Sequence, residues 1–164
     1  MTLFELSAYF EEIAIRHTAL QHKPEIERQQ TYFCLNTDKN LDEFVRTRKM
    51  DTVLVLLSPD KKIYPPSAEN FNWDKHVAFL ALHRCPDNTS ANIVKALNLT
   101  EIIADDFICQ ILEDRDVLIS GVDIDSFVVE PIPPIGDNHY GHICMFNLTD
   151  QFNHYRNAER LPAR

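Results

Sequence analysis

Apolar positions recur along this chain with two periods, and the two periods divide it into helices and strands. Leu3, Leu6, Phe10, Ile13 and Leu20 fall at helical spacing and predict an amphipathic helix over Met1–His22. Thr2 and Glu5 are placed as a capping box at its start. Glu12 and Arg16 make an i,i+4 pair on the outer side, and Lys23–Pro24 ends the helix. Such a helix lies on a sheet or docks on a neighbouring subunit. Thr31–Asn36 is rich in strand formers and apolar on both faces. A narrow stripe of Leu41, Phe44, Val45 and Arg48 predicts a short helix to Lys49, capped by Asp38 or Asn40. Val53–Leu57 is apolar without interruption, as in a strand covered on both faces. Pro59–Lys62 reads as a turn, Pro65–Pro66 forbids regular structure, and Ser67–Asp74 reads as a polar loop carrying Phe71 and Trp73. In Lys75–His83, Val77, Phe79 and Ala81 face one way and Ala78, Leu80 and Leu82 the other, which predicts a second central strand.

Pro86–Ser90 turns the chain into its longest helix, with Asn88 or Thr89 as the cap. Ile93, Leu97, Ile103, Phe107 and Ile111 form its main stripe, joined by Val94, Leu99 and Leu112, and it runs to about Arg115. Asn98–Thr100 is a candidate bend, because poor helix formers cluster there. Gly121–Thr149 holds all three glycines of the chain. It reads as strand Val122–Ile132, turn Pro133–Asn138 and strand His139–Leu148, with Gly136, Asp137 and Asn138 tolerant of positive φ. The tail from Gln151 is polar with no firm period and reads as an extension. The expectation is a single domain over 1–150 and a C-terminal extension over 151–164. Its class is α+β: a mainly antiparallel sheet of about five strands, with the N-terminal helix and the long helix packed on one face.

Charge narrows the functional classes. The formal net charge is −9 and the pI about 5.1, which argues against a broad nucleic-acid-binding face. The one dense basic cluster, Arg46, Arg48 and Lys49, suits a helix C-terminus. Cys34, Cys85, Cys109 and Cys144 form no C-x-x-C pair and read as reduced thiols. Charged residues within Met1–Leu20 argue against a signal peptide or span there, and no apolar run approaches the ~20 residues a membrane helix needs. The expected protein is soluble and made in a cytoplasm.

Candidate chemistry is sparse. His139 and His142 flank Tyr140–Gly141 beside Asp137, but residues i and i+3 of a strand point to opposite faces, so a polar loop tip is the better account than a metal site. His83 and Cys85 share a strand face without a further ligand nearby. Glycine-rich phosphate loops and a G-x-S-x-G elbow are missing from the sequence. The acids Asp105–Asp106 and Glu113–Asp114 diverge around a helix. These readings assign no catalytic, cofactor-binding or metal-binding residue.

Four segments carry a family resemblance: the amphipathic start MTLFELSAYFEEIAIRHTALQH; the pair TVLVLLSP and HVAFLALHRCPDN; the helix NIVKALNLTEIIADDFICQILED; and the closing VDIDSFVVEPIPPIGDNHYGHICMFNLTD. Together they resemble a family of small proteins from tailed phages and prophages of Bacteroidetes, related in shape to tail-terminator and neck proteins. Within the closing unit the likeness rests on Tyr140–Gly141 and Phe146. Where the family has an aromatic-rich stretch after the second strand, this chain has a short DKKIYPP turn. The resemblance implies a non-enzymatic virion component of the tail or neck, made in the host bacterial cytoplasm. It would join head to tail as a homo-oligomeric ring, with six-fold symmetry a candidate, and would meet other tail and neck proteins but no membrane. Unpaired strand edges suit such assembly, since they can add strands from a neighbour. A different class is also open: a small acidic intracellular binding or inhibitor module engaging a basic partner. Candidate contact residues are the large side chains of two loops: Tyr64, Phe71 and Trp73 within Lys61–Trp73, and Ile135, His139 and Tyr140 within Pro133–Gly141.

Overall fold

The two apolar runs become the inner strands of a five-stranded sheet. The computed structural model describes residues 1–36, 41–48, 50–64, 72–115, 117–136 and 138–151, the side chains of Arg48, Tyr64 and Gln151 excepted. In chain order the elements are α1 (Leu3–Arg16), a 3₁₀ turn (Glu27–Gln29), β1 (Tyr32–Leu35), α2 (Leu41–Arg48), β2 (Thr52–Tyr64), β3 (Asn72–Arg84), α3 (Ser90–Asp114), β4 (Val122–Ile135) and β5 (His139–Gln151). The sheet order is β1-β2-β3-β5-β4. β1 runs parallel to β2, and the other three pairs are antiparallel. The fold is therefore α+β with a mixed sheet.

Strand parity sorts the core into two layers. Val77, Phe79 and Ala81 of β3 join Leu54 and Leu56 of β2 and Cys144, Phe146 and Leu148 of β5 beneath α1 and α3. Phe10 of α1, Phe79 of β3 and Phe107 of α3 meet with ring centroids 5.3–5.7 Å apart. Each ring is fully buried, and burial of such a side chain contributes roughly 1.5–3 kcal/mol. On the opposite face Leu80 and Leu82 of β3 and Val53 and Val55 of β2 pack with Leu41 and Val45 of α2. A stripe on α2 was expected; its place on the far side of the sheet from α1 and α3 was not.

Other elements differ from expectation in extent. The Thr2–Glu5 capping box forms, with Glu5 N donating to Thr2 Oγ1 at 3.2 Å and Thr2 N to Glu5 Oε2 at 2.6 Å. However, α1 stops at Arg16, because His17 takes an extended backbone (ψ 120°). The following loop is held by the buried His22 ring, whose Nδ1 accepts from the amides of Thr31 (2.9 Å) and Tyr32 (3.1 Å). Nε2 then carries the ring hydrogen, facing Glu11 Oε1 at 3.4 Å. β2 continues through the predicted turn at Pro59 to Tyr64, across a register shift between Leu57 and Asp60. A proline lacking N–H is tolerated at such a bulge. β3 accordingly begins at Asn72, and Trp73 pairs with Ile63 instead of lying in a loop. Asp38 and Asn40, the expected caps of α2, lie outside the described residues, as does Phe71. α3 runs unbroken past Asn98–Thr100. Its buried positions near the start are Ala96 and Thr100, while Val94 is 63% exposed.

Two contacts lock the last strand. A Cβ at Gly141 would stand 1.9 Å from the Ala81 carbonyl oxygen, so only glycine permits β5 to lie against β3 in this register. At the other end Lys75, buried, donates to Asp150 Oδ2 at 2.8 Å, and the Met1 ammonium pairs with the same carboxylate. Burial alone would raise the Asp150 pKa, but Lys75 and the ammonium outweigh it and hold the carboxyl below its usual range.

Gly141→Ala is expected to destabilise by about 3 kcal/mol, the upper end of overpacking costs, read as a lowered thermal midpoint. An unchanged midpoint would refute the close approach. Asp150→Asn leaves the Lys75 ammonium without its carboxylate. The expected loss is below the ~3–5 kcal/mol of a fully buried pair, because Asp150 is about a third exposed. The Asp150 contribution is present above the unfolded carboxyl pKa and disappears as pH falls through the depressed folded value, so the variant should show a flatter acid limb in urea titrations.

Candidate functional site

The histidines are structural in their placement. His139 and His142 both lie in β5 and are buried, not exposed at a loop tip, and they point to opposite faces as strand parity requires. His139 Nε2 lies 3.0 Å from the Met50 carbonyl on the α2 side. Thr100 Oγ1 donates to the Leu97 carbonyl at 3.0 Å and so accepts from His142 Nδ1, also at 3.0 Å, on the α3 side. Among the described residues no three of His, Cys, Asp and Glu are grouped to hold a metal ion.

His83 and three of the four cysteines offer little reactivity. Thr52 Oγ1 and His83 Nδ1 are 2.9 Å apart. Burial pushes the His83 pKa down, against the opposing charge of Asp51. Burial pushes the thiols of Cys34 and Cys85 up and that of Cys144 up to about 12. Those three are protonated thiols at neutral pH, the unreactive form. An open cleft of about 810 Å³ lies between the loop after α1 and the turn from α2 into β2, lined by Glu27, Arg28, Asp51 and three threonines among others. Its charges are mixed in sign, and the described residues of its walls include no histidine or cysteine.

The expected contact residues separate into two groups. Tyr64 and Trp73 lie where β2 and β3 meet, with Trp73 half-buried opposite Asp150 of β5. Ile135, His139 and Tyr140 lie at the other end of the sheet, since Arg84 of β3 pairs with His139 and Asn72 with Gln151. Twelve strand residues separate those ends, roughly 40 Å. The second group is largely occupied within the molecule. β4 extends through Pro133 to Ile135, and β5 begins at His139. Gly136 N donates to Asp42 Oδ1 at 2.7 Å, Ile135 packs against the α2 layer, and Asn138 O accepts from Cys85 N at 2.8 Å. His139, 3% exposed, is thus not an exposed anchor; Tyr140 is half-buried.

A surface that the sequence reading missed lies between these ends. The register aligns Leu35, Leu57, Ala78, Met145 and Val128 in one row across all five strands, on the face that carries α2. The row is half-buried along β1, β2, β3 and β5 and 42% exposed at Val128 on the edge. Beyond it the next row is polar: Asp60, His76, Asn147 and Asp123. The alternation of each strand was readable; the alignment of five residues from five strands needs the register.

No protein-family model and no curated protein matches this chain. No helix among the described residues is long and apolar enough to cross a membrane.

The depressed His83 pKa has a testable consequence. Below the ordinary histidine value the unfolded chain takes a proton that the folded chain refuses, so stability falls as pH drops through that range until the folded pKa is reached. His83→Gln should flatten the stability–pH curve there in denaturant titrations; identical slopes would refute the assignment.

Proposed function

We propose that this chain is a non-enzymatic structural protein that assembles with copies of itself, of the tail-terminator or neck type found in tailed phages, and that it works in the virion at the junction of head and tail. The observation that supports this reading best is the partly exposed apolar row from Leu35 to Val128, half-buried except at Val128, on an otherwise motif-free domain. The four-segment resemblance supplies the phage context, and cyclic symmetry is the usual outcome of repeated identical contacts. A second reading, an acidic module that engages a basic protein, is favoured by the carboxylates Asp60 and Asp123 beside that row. Genes for portal, tube and tape-measure proteins next to this one would favour the first; a neighbouring toxin or nuclease gene would favour the second.

Light scattering over rising concentration, with electron microscopy of the purified protein, tests assembly directly. Closed rings of uniform size are expected, and a strict monomer that also fails to bind tail tubes overturns the reading.

A further inference from the structure

We infer that the apolar row receives residues 152–164 of a second copy of this chain, an inference that rests on the self-assembly reading above. The row spans four inter-strand steps, about 19 Å, long enough for a short peptide segment. Its apolar centre is Leu57 and Met145, and its flanks carry the exposed carboxylates Asp60, Asp123 and Glu130. The complementary chemistry is a short basic segment with a few large apolar groups.

The C-terminal residues have this chemistry. Residues 152–164 read FNHYRNAERLPAR, with three arginines against one glutamate in a chain of formal net charge −9, and with Phe152, Tyr155 and Leu161 spaced among them. They lie outside the described residues. The segment begins after Gln151, which pairs with Asn72 at the end of the sheet away from α2. Thirteen residues reach about 43 Å when extended, enough to arrive at the row of an adjacent copy. Docking on the row of its own chain would require the segment to reverse its direction after β5. It would also require passage back over the polar rows that contain Lys62, Asp74, Asp60 and His76. Tail and row are different surfaces, so each copy offers one of each. Such a contact is heterologous and closes into a ring when the rotation permits.

Complementation in the full-length chain tests this. One variant reverses the tail (Arg156→Glu, Arg160→Glu, Arg164→Glu). The other blocks the row with Val128→Glu, at an exposed edge position chosen so that folding is unaffected, with the thermal midpoint of each variant as the check. Met145→Glu is the backup at the row. The wild-type chain is expected to form the oligomer and each variant alone a monomer by light scattering, with midpoints unchanged. An equimolar mixture should give a dimer, because one good tail then meets one good row. If both variants remain oligomeric, the tail-to-row contact is wrong and the assembly reading stands. If the variants are monomeric and the mixture stays monomeric, the contact is also wrong. A monomeric wild-type chain overturns the assembly reading and this inference together.

Discussion

The burial of β2 and β3 on both faces is the constraint that the other elements answer. Strands with Val, Leu, Phe and Ala at successive positions cannot leave either face to water, so cover must come from both sides. On one side α1 and α3 supply it, joined by Tyr9 to Asp114 and His17 to Asp106 at 3.0 and 3.1 Å and closed by the Phe10–Phe79–Phe107 contact. On the other side the only helix among the described residues is α2. Its eight residues span about 12 Å, against roughly 43 Å for a thirteen-residue strand. The half-buried apolar row follows from that mismatch: it is where apolar sheet continues past the edge of its short cover.

The polar groups inside the fold serve the same layering. His139 reaches the end of the α2 segment through the Met50 carbonyl, and His142, three residues on, reaches α3 through Thr100. One strand thereby fixes both layers, and Gly141 between them removes the side chain that would hold β5 off β3. The reciprocal tie at the other end is Lys75 with Asp150. β5 is held at both ends by groups buried or nearly so, which sets its register against β3 over thirteen paired residues.

Much of this was legible. The opposite facing of Val77, Phe79 and Ala81 against Ala78, Leu80 and Leu82 is a matter of parity, and parity survives folding. The Thr2–Glu5 cap is local chemistry and reads directly. Less was legible where an element depends on its neighbours. Pro59, Pro133 and Pro134 looked like breakers, yet Pro59 sits at a bulge and the other two on the edge strand β4, where a missing N–H costs little. The stripe on α2 announced a half-buried helix without naming the face that it would meet. His139 and His142 looked like a polar loop tip because their burial comes from the layers packed on the two faces of β5, through Met50 on one side and Thr100 on the other, and not from their own strand.

Those same prolines bear on how copies could meet. Edge strands are the obvious route to assembly, and both edges here are poor templates. β1 is four residues long, and β4 carries three prolines along its outer course. A partner strand added to β4 would lose a ladder hydrogen bond at each proline that faced it, and one added to β1 would gain few. Strand addition, which the unpaired edges suggest at first sight, is therefore the weaker geometry. The sheet face has the opposite balance. Its apolar row is continuous across all five strands, its backbone groups are already paired within the sheet, and its flanking carboxylates set the sign of charge that a partner must carry. Contact through the face asks no backbone group to change partners, which places recognition in the side chains of Leu57, Met145 and Val128 and not in the ladder.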